Sequence, residues 1–87
     1  MKVSVFQMDK KNVNERLNKV FRDVFDDDSI TVNDSTTSAD IEDWDSIEHI
    51  TLIDAVEHEF KMRFKMKEVS GMKNVGEMIS IILERGK

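Results

Sequence analysis

Val13, Leu17, Val20, Phe21 and Val24 stand at offsets of 0, 4, 7, 8 and 11, the spacing of one helical face. The pattern predicts a first helix over residues 9–25. Asn12 and Glu15 offer a cap pair near its start. Asp26-Asp27-Asp28 should stop it, because acids repel the negative end of the helix dipole. The same period returns over residues 46–60, where Ile50, Leu52, Ile53, Val56 and Phe60 share one broad arc. Ile47 falls on the opposite side with Thr51, Asp54, Ala55 and His58. A last helix is expected from Val75 to about Glu84, opened by Asn74 and Glu77 and burying Val75, Met78, Ile79 and Ile82. Before it, Lys61 to Lys67 alternates strictly, which lays Met62 and Phe64 on the core in an extended segment with no evident partner strand. A short helical turn over residues 67–70, ended by Gly71, should follow. The expected fold is all-α: three main helices and a short third one, closing into a small four-helix bundle.

The 87 residues suffice for one small domain. We expect that domain over residues 9–87, with residues 1–8 as an N-terminal extension. There Val3 and Val5 alternate with Lys2 and Ser4, a weakly strand-like pattern. The chain has no cysteine, which removes disulfides and thiolate metal sites. No apolar run is long enough to span a bilayer, and Met1 to Met8 lacks the apolar stretch of a secretory signal. These features lead us to expect a soluble cytoplasmic protein, a monomer, with no membrane insertion. Asn33-Asp34-Ser35 matches a glycosylation sequon, which without an export signal is coincidence.

Charge is partitioned along the chain. Residues 1–25 carry a balance of +3, residues 26–60 a balance of −12 with no Lys or Arg, and residues 61–87 a balance of +4. The acidic middle third excludes nucleic acid as a ligand for that surface, since such binding needs clustered basic residues. It suits a basic protein partner drawn in by the field, or simply a solvated acidic face.

Residues 26–44 form a long loop with four apolar anchors, Ile30, Val32, Ile41 and Trp44. Asp45 then has the chemistry of a helix N-cap, and Glu48 stands where a capping-box acid belongs. Ser46 therefore occupies the first helical position with its hydroxyl pointing outward. Catalysis by Ser46 is disfavoured: His49 is three residues on in the same helix, and there is no nucleophile-elbow glycine pattern. His49 projects into the apolar arc, as a satisfied histidine packed near Trp44. His58-Glu59 makes only a false start on a zinc motif, because Met62 stands where the second histidine belongs. The acidic loop fails as a calcium hand at Ile30, Thr31 and Thr37. Met62, Met66, Met72 and Met78 fill core gaps, and the same soft side chains suit a wall that opens around a fatty chain. Covalent modification of Ser46 fits best. A phosphodiester there would meet free N–H groups and the positive end of the dipole, with kinase phosphorylation as the competing modification.

The segment Asp43-Trp44-Asp45-Ser46-Ile47-Glu48-His49-Ile50 resembles the attachment site of acyl carrier proteins, in which an Asp-Ser-Leu or Asp-Ser-Ile motif opens the second helix. The resemblance continues through Leu52 to Phe60 and covers roughly residues 9–85. It implies that Ser46 carries 4′-phosphopantetheine from coenzyme A, attached by a phosphopantetheinyl transferase. Asp45 is then the neighbouring acid, Ile47 the apolar residue that partner enzymes grip, and Glu48, Asp54 and Glu57 the acids that meet basic docking patches on acyl-loading ligases or synthases. The Trp-Asp-Ser-x-x-His variant, made by Trp44 and His49, looks like carriers of specialised pathways. The basic ridge Lys61, Arg63, Lys65 and Lys67 departs from the acidic stretch usual in fatty-acid carriers.

The resemblance thus implies a non-catalytic carrier of acyl intermediates as thioesters in fatty-acid, polyketide or other specialised biosynthesis. An aminoacyl or D-alanyl carrier would use the same serine and arm. In a different class, a small acidic helical adaptor would bind a basic partner with Ser46 unmodified or phosphorylated.

Overall fold

The computed structural model describes residues 9–86, so the expectation for residues 1–8 lies outside the described residues. The first helix begins on Asp9, whose carboxylate accepts the Asn12 amide at 2.8 Å. The cap is therefore Asp9 and not the Asn12–Glu15 pair. Helix α1 (Lys10–Phe25) ends where Asp26 turns left-handed, with φ at 51° and its amide donated to the Arg22 carbonyl. Aspartate tolerates that conformation better than most residues, so Asp26 stops the helix by geometry as well as by charge.

A 3₁₀ turn (Ser38–Asp40), α2 (Ser46–Phe60), α3 (Met66–Gly71) and α4 (Val75–Arg85) follow. The fold is all-α with a long loop between α1 and α2, as expected. Helix α1 packs against both α2 and α4. Its Val13, Leu17 and Phe21 are fully buried, in one cluster with Leu52, Val56 and Phe60 of α2 and Val75, Met78 and Ile82 of α4. Each large side chain there contributes roughly 1.5–3 kcal/mol by leaving water. Arg16 strengthens the α1–α2 seam. Its guanidinium donates to the Glu59 carboxylate at 2.8 Å and to the Glu59 carbonyl at 2.6 Å, and lies 4.3 Å from the centre of the Phe60 ring.

Polar side chains of α1 shape the long loop. Asn18 is buried; it donates to the Asn14 carbonyl and accepts the Val32 amide at 2.7 Å, which seats Val32 in the core. Arg22 donates to the Ile30 carbonyl at 2.7 Å. The loop then caps α4, because the Thr36 and Asp34 carbonyls each accept a first-turn amide, from Val75 and Gly76 respectively, at 2.9 Å. A Cβ on Gly76 would stand 2.9 Å from the Asp34 carbonyl oxygen, so only glycine allows this approach. All four loop anchors reach the core, Val32 fully and Ile30, Ile41 and Trp44 in part.

Three boundaries differ from the sequence reading. The extended segment does bury Met62 and Phe64 without forming a strand. Helix α3 starts at Met66, so Met66 leaves the alternating pattern and is 84% exposed rather than filling the core. Gly71 is the last residue of α3 and Met72 caps it in extended backbone, so no left-handed glycine ends that helix. Helix α4 runs one residue further than expected, to Arg85.

Candidate functional site

The N-terminus of α2 is built by Asp45. Its carboxylate accepts the Glu48 amide at 2.9 Å, and its carbonyl accepts the His49 amide at 2.9 Å. Only half of the expected capping box forms, because the Asp45 amide donates to the Asp43 carbonyl at 3.0 Å and not to Glu48. Ser46 is exposed at the first helical position, and its hydroxyl makes no hydrogen bond to another described residue. The Ser46 and Ile47 amides point out of the helix end, where an anion is favoured.

Beside Ser46 lies an open cleft of about 430 Å³, bounded by the start of α2, the end of α3 and the α3–α4 connection. Its inner wall is a hydrogen-bonded chain. The Trp44 indole N–H donates to His49 Nδ1 at 3.0 Å, and His49 Nε2 lies 3.2 Å from the Val69 carbonyl oxygen. The two bonds together select the imidazole form with its proton on Nε2. Trp44 also stacks on His49 and meets Phe21 edge-on, with ring centres 5.3 Å apart. His49 is thus a satisfied, half-buried histidine beside Trp44, as its place on the helical arc suggested.

Asp45, Ser46, Ile47 and Glu48 gather at one end of α2. Asp54 and Glu57 lie further along, at roughly 12 and 16 Å of helix rise from Ser46. Ile47 is 73% exposed, in line with its position off the buried arc. Asp54 is exposed, with the His58 imidazole 3.0 Å from its carbonyl. Glu57 is half-buried, and one of its carboxylate oxygens accepts the Phe64 amide at 2.8 Å, so it also fixes the extended segment.

Two assignments on α2 need correction. Ile50 does not belong to the core; it is 69% exposed. It sits at the rim of the arc, about 60° from Ile53, on a flank that no described element covers. Ala55, expected on the outer face, is instead partly buried against the core. The lining of the cleft by Ser38, Val69, Met72, Lys73 and Asn74 was not read from the sequence. Val69 acts through its backbone carbonyl, for which no side-chain pattern gives a signal. Among the described residues, no group of three or more His, Cys, Asp or Glu side chains is placed to hold a metal ion.

The solution NMR structure of a holo acyl carrier protein from Geobacter metallireducens is similar to this chain. The two share 37% sequence identity over 84% of each chain, with a TM-score of 0.79. The chain belongs to the acyl carrier protein family. No family model and no curated protein matches it. With that membership goes the general role of a carrier. No helix among the described residues is long and apolar enough to cross a membrane.

Proposed function

We propose that Ser46 is the attachment point of a 4′-phosphopantetheine arm, transferred from coenzyme A by a phosphopantetheinyl transferase. The protein then presents acyl intermediates to enzymes of fatty-acid, polyketide or related specialised biosynthesis, in the cytoplasm and as a monomer, with residues 9–87 as the carrier domain. The observation that carries this reading is the position of Ser46: exposed, without a hydrogen bond from its hydroxyl to another described residue, and first in a capped helix of a chain 37% identical to a holo acyl carrier protein.

The residues present fit the group. A phosphodiester on Ser46 Oγ would gain roughly 0.5–1 kcal/mol from the helix N-terminus at an exposed site. Asp43, Asp45 and Glu48 oppose it by repulsion, so the helix end accommodates the anion without selecting it. Bound there, the arm supplies the thiol that this cysteine-free chain lacks, and an acyl group rides on it as a thioester. Ile47 gives partner enzymes an apolar contact beside the attachment point. Asp45, Glu48, Asp54 and Glu57 face basic docking patches on the transferase and on acyl-loading ligases or synthases.

Incubating the apo protein with coenzyme A and a promiscuous phosphopantetheinyl transferase should add the mass of one phosphopantetheine, read by intact mass spectrometry. Ser46→Ala should abolish the gain. No gain in the wild type, or a gain that survives the substitution, refutes the proposal.

A further inference from the structure

We infer that the Trp44–His49–Val69 chain holds the seam between α2 and α3 closed, so that this carrier takes short acyl groups with a polar or carboxylate end and does not bury long alkyl chains. The inference rests on the reading of Ser46 as the attachment point and names the cargo class for that same site.

His49 lies three residues beyond Ser46, about 4.5 Å further along α2. Its bond to the Val69 carbonyl is therefore the first rung between α2 and α3 below the attachment point. A group leading from Ser46 along the inner wall of the cleft and between these helices meets that rung first. His49 cannot simply swing aside, because Nδ1 is held by the Trp44 indole N–H and the two rings are stacked. Trp44 in turn is lodged against Phe21 of α1, a fully buried side chain. Opening the seam would strand the indole N–H, the imidazole and a backbone carbonyl, all part-buried, with an alkyl chain that offers none of them a hydrogen bond. Behind the rung the core is filled: Leu52, Val56, Phe60, Met78 and Ile82 are fully buried.

The cleft on the near side of the rung has different chemistry. Val69 and Met72 give it an apolar strip, while Ser38, Asp45, Ser70, Lys73 and Asn74 line the rest, the Asp45 carboxylate being engaged by the Glu48 amide. The Lys73 ammonium has no ion pair among the described residues. With the arm folded back so that its thioester end returns to the cleft, a short acyl group would lay its carbons on the strip and direct a hydroxyl or carboxylate to these polar side chains. A long alkyl chain would leave most of its length in water.

The test uses acetyl-, succinyl- and octanoyl-coenzyme A as donors for transferase loading of the wild type, Trp44→Phe and His49→Ala, with attachment verified by intact mass. Trp44→Phe keeps a ring against Phe21 while removing the N–H together with part of the indole's bulk, so it tests the seam if His49→Ala does not fold. We expect the octanoyl and acetyl forms of the wild type to melt within about 1 °C of each other, and the octanoyl form of a seam variant to melt roughly 5 °C or more above its own acetyl form. Methyl resonances of Leu52, Val56 and Ile79 should move on octanoylation only in the variants. The succinyl form of the wild type should shift the Ser70, Lys73 and Asn74 amides beyond the acetyl form. An octanoyl wild type with raised Tm and displaced core methyls overturns the inference, as do folded variants that admit no octanoyl chain, or a succinyl form no different from the acetyl one. In each of those cases the loaded mass leaves the carrier reading standing, whereas the absence of any mass gain removes that reading and this inference with it.

Discussion

Ile47 and Ile50 keep most of their surface in water within one turn of Ser46, 73% and 69% respectively. A single exposed isoleucine is ordinary, but two on neighbouring positions of one helix, next to an attachment point, make a contact patch. Neither side chain gives up its exposure to the fold, so replacing Ile47 tests contact without disturbing packing. Ile47→Asp should change unfolding free energy in urea by no more than about 0.5 kcal/mol. It should lower kcat/KM for transferase loading by roughly tenfold, the loss expected of a central apolar contact. A large fall in Tm would show that Ile47 is structural, and unaltered loading would show that the transferase does not touch it. The contrast between these residues also marks what the sequence could disclose. The helical period placed Ile47 outside because its angle lies far from the arc. Ile50 lies at the rim, where an angle cannot say whether a neighbouring element extends far enough to cover it.

At the scale of elements, α3 is the least self-sufficient part of the fold. It has six residues and none of them is buried, well short of the length at which an isolated helix becomes stable in water. Its position comes from partners at both ends. At the start, the Glu68 carboxylate accepts the Lys65 amide at 2.7 Å and also the Arg85 guanidinium from the end of α4. At the other end Val69 meets His49. The Lys65 amide first, and Arg85 second, hold the Glu68 carboxyl below the usual carboxylate range. A carboxyl whose folded value is lowered stabilises the fold fully above its unfolded value and stops doing so as pH falls through the folded one. Amide protection over residues 66–71 should therefore be lost on acidification from neutral pH to about pH 3 ahead of protection in α1. In Glu68→Gln, protection at neutral pH should already be reduced and the acid step should vanish, read by hydrogen exchange. Equal protection of α3 at both pH values in the wild type would show that Glu68 does not hold it. The sequence disclosed the elements whose signals are local: the Asp45 and Asn74 caps each act on an amide three residues away. It did not disclose α3's ties, which join Glu68 to a side chain 17 residues on and Val69 to His49 through a carbonyl. Asn18 escaped for the same reason, since a polar residue on an otherwise apolar face declares its role only when the Val32 amide arrives against it.

Over the whole molecule the acidic and basic regions form few direct ion pairs after folding. Residues 26–60 hold twelve acids and no Lys or Arg. The ion pairs of the described residues offset little of that charge: Lys10 meets Asp34 and Arg16 meets Glu59. Lys61, Arg63, Lys65 and Lys67 are exposed and join no ion pair among the described residues, although Lys61 and Arg63 border the same shallow depression as Asp54 and Glu57 at the far end of α2 from Ser46. A partner approaching Ser46 thus meets a field dominated by carboxylates, and a transferase with a basic docking patch is drawn in by it. Such attraction acts across solvent and is screened as the Debye length contracts from about 10 Å at 0.1 M salt to about 3 Å at 1 M. An apolar grip by Ile47 alone would lack that dependence. Raising salt over this range should therefore increase KM for transferase loading while leaving kcat nearly unchanged, because the charges govern encounter and docking but do not touch the reacting atoms. Loading whose KM is indifferent to salt would assign docking to Ile47 and Ile50 and leave the acidic face as a solubility feature. A fall in kcat at constant KM would instead place the effect of salt on the chemical step.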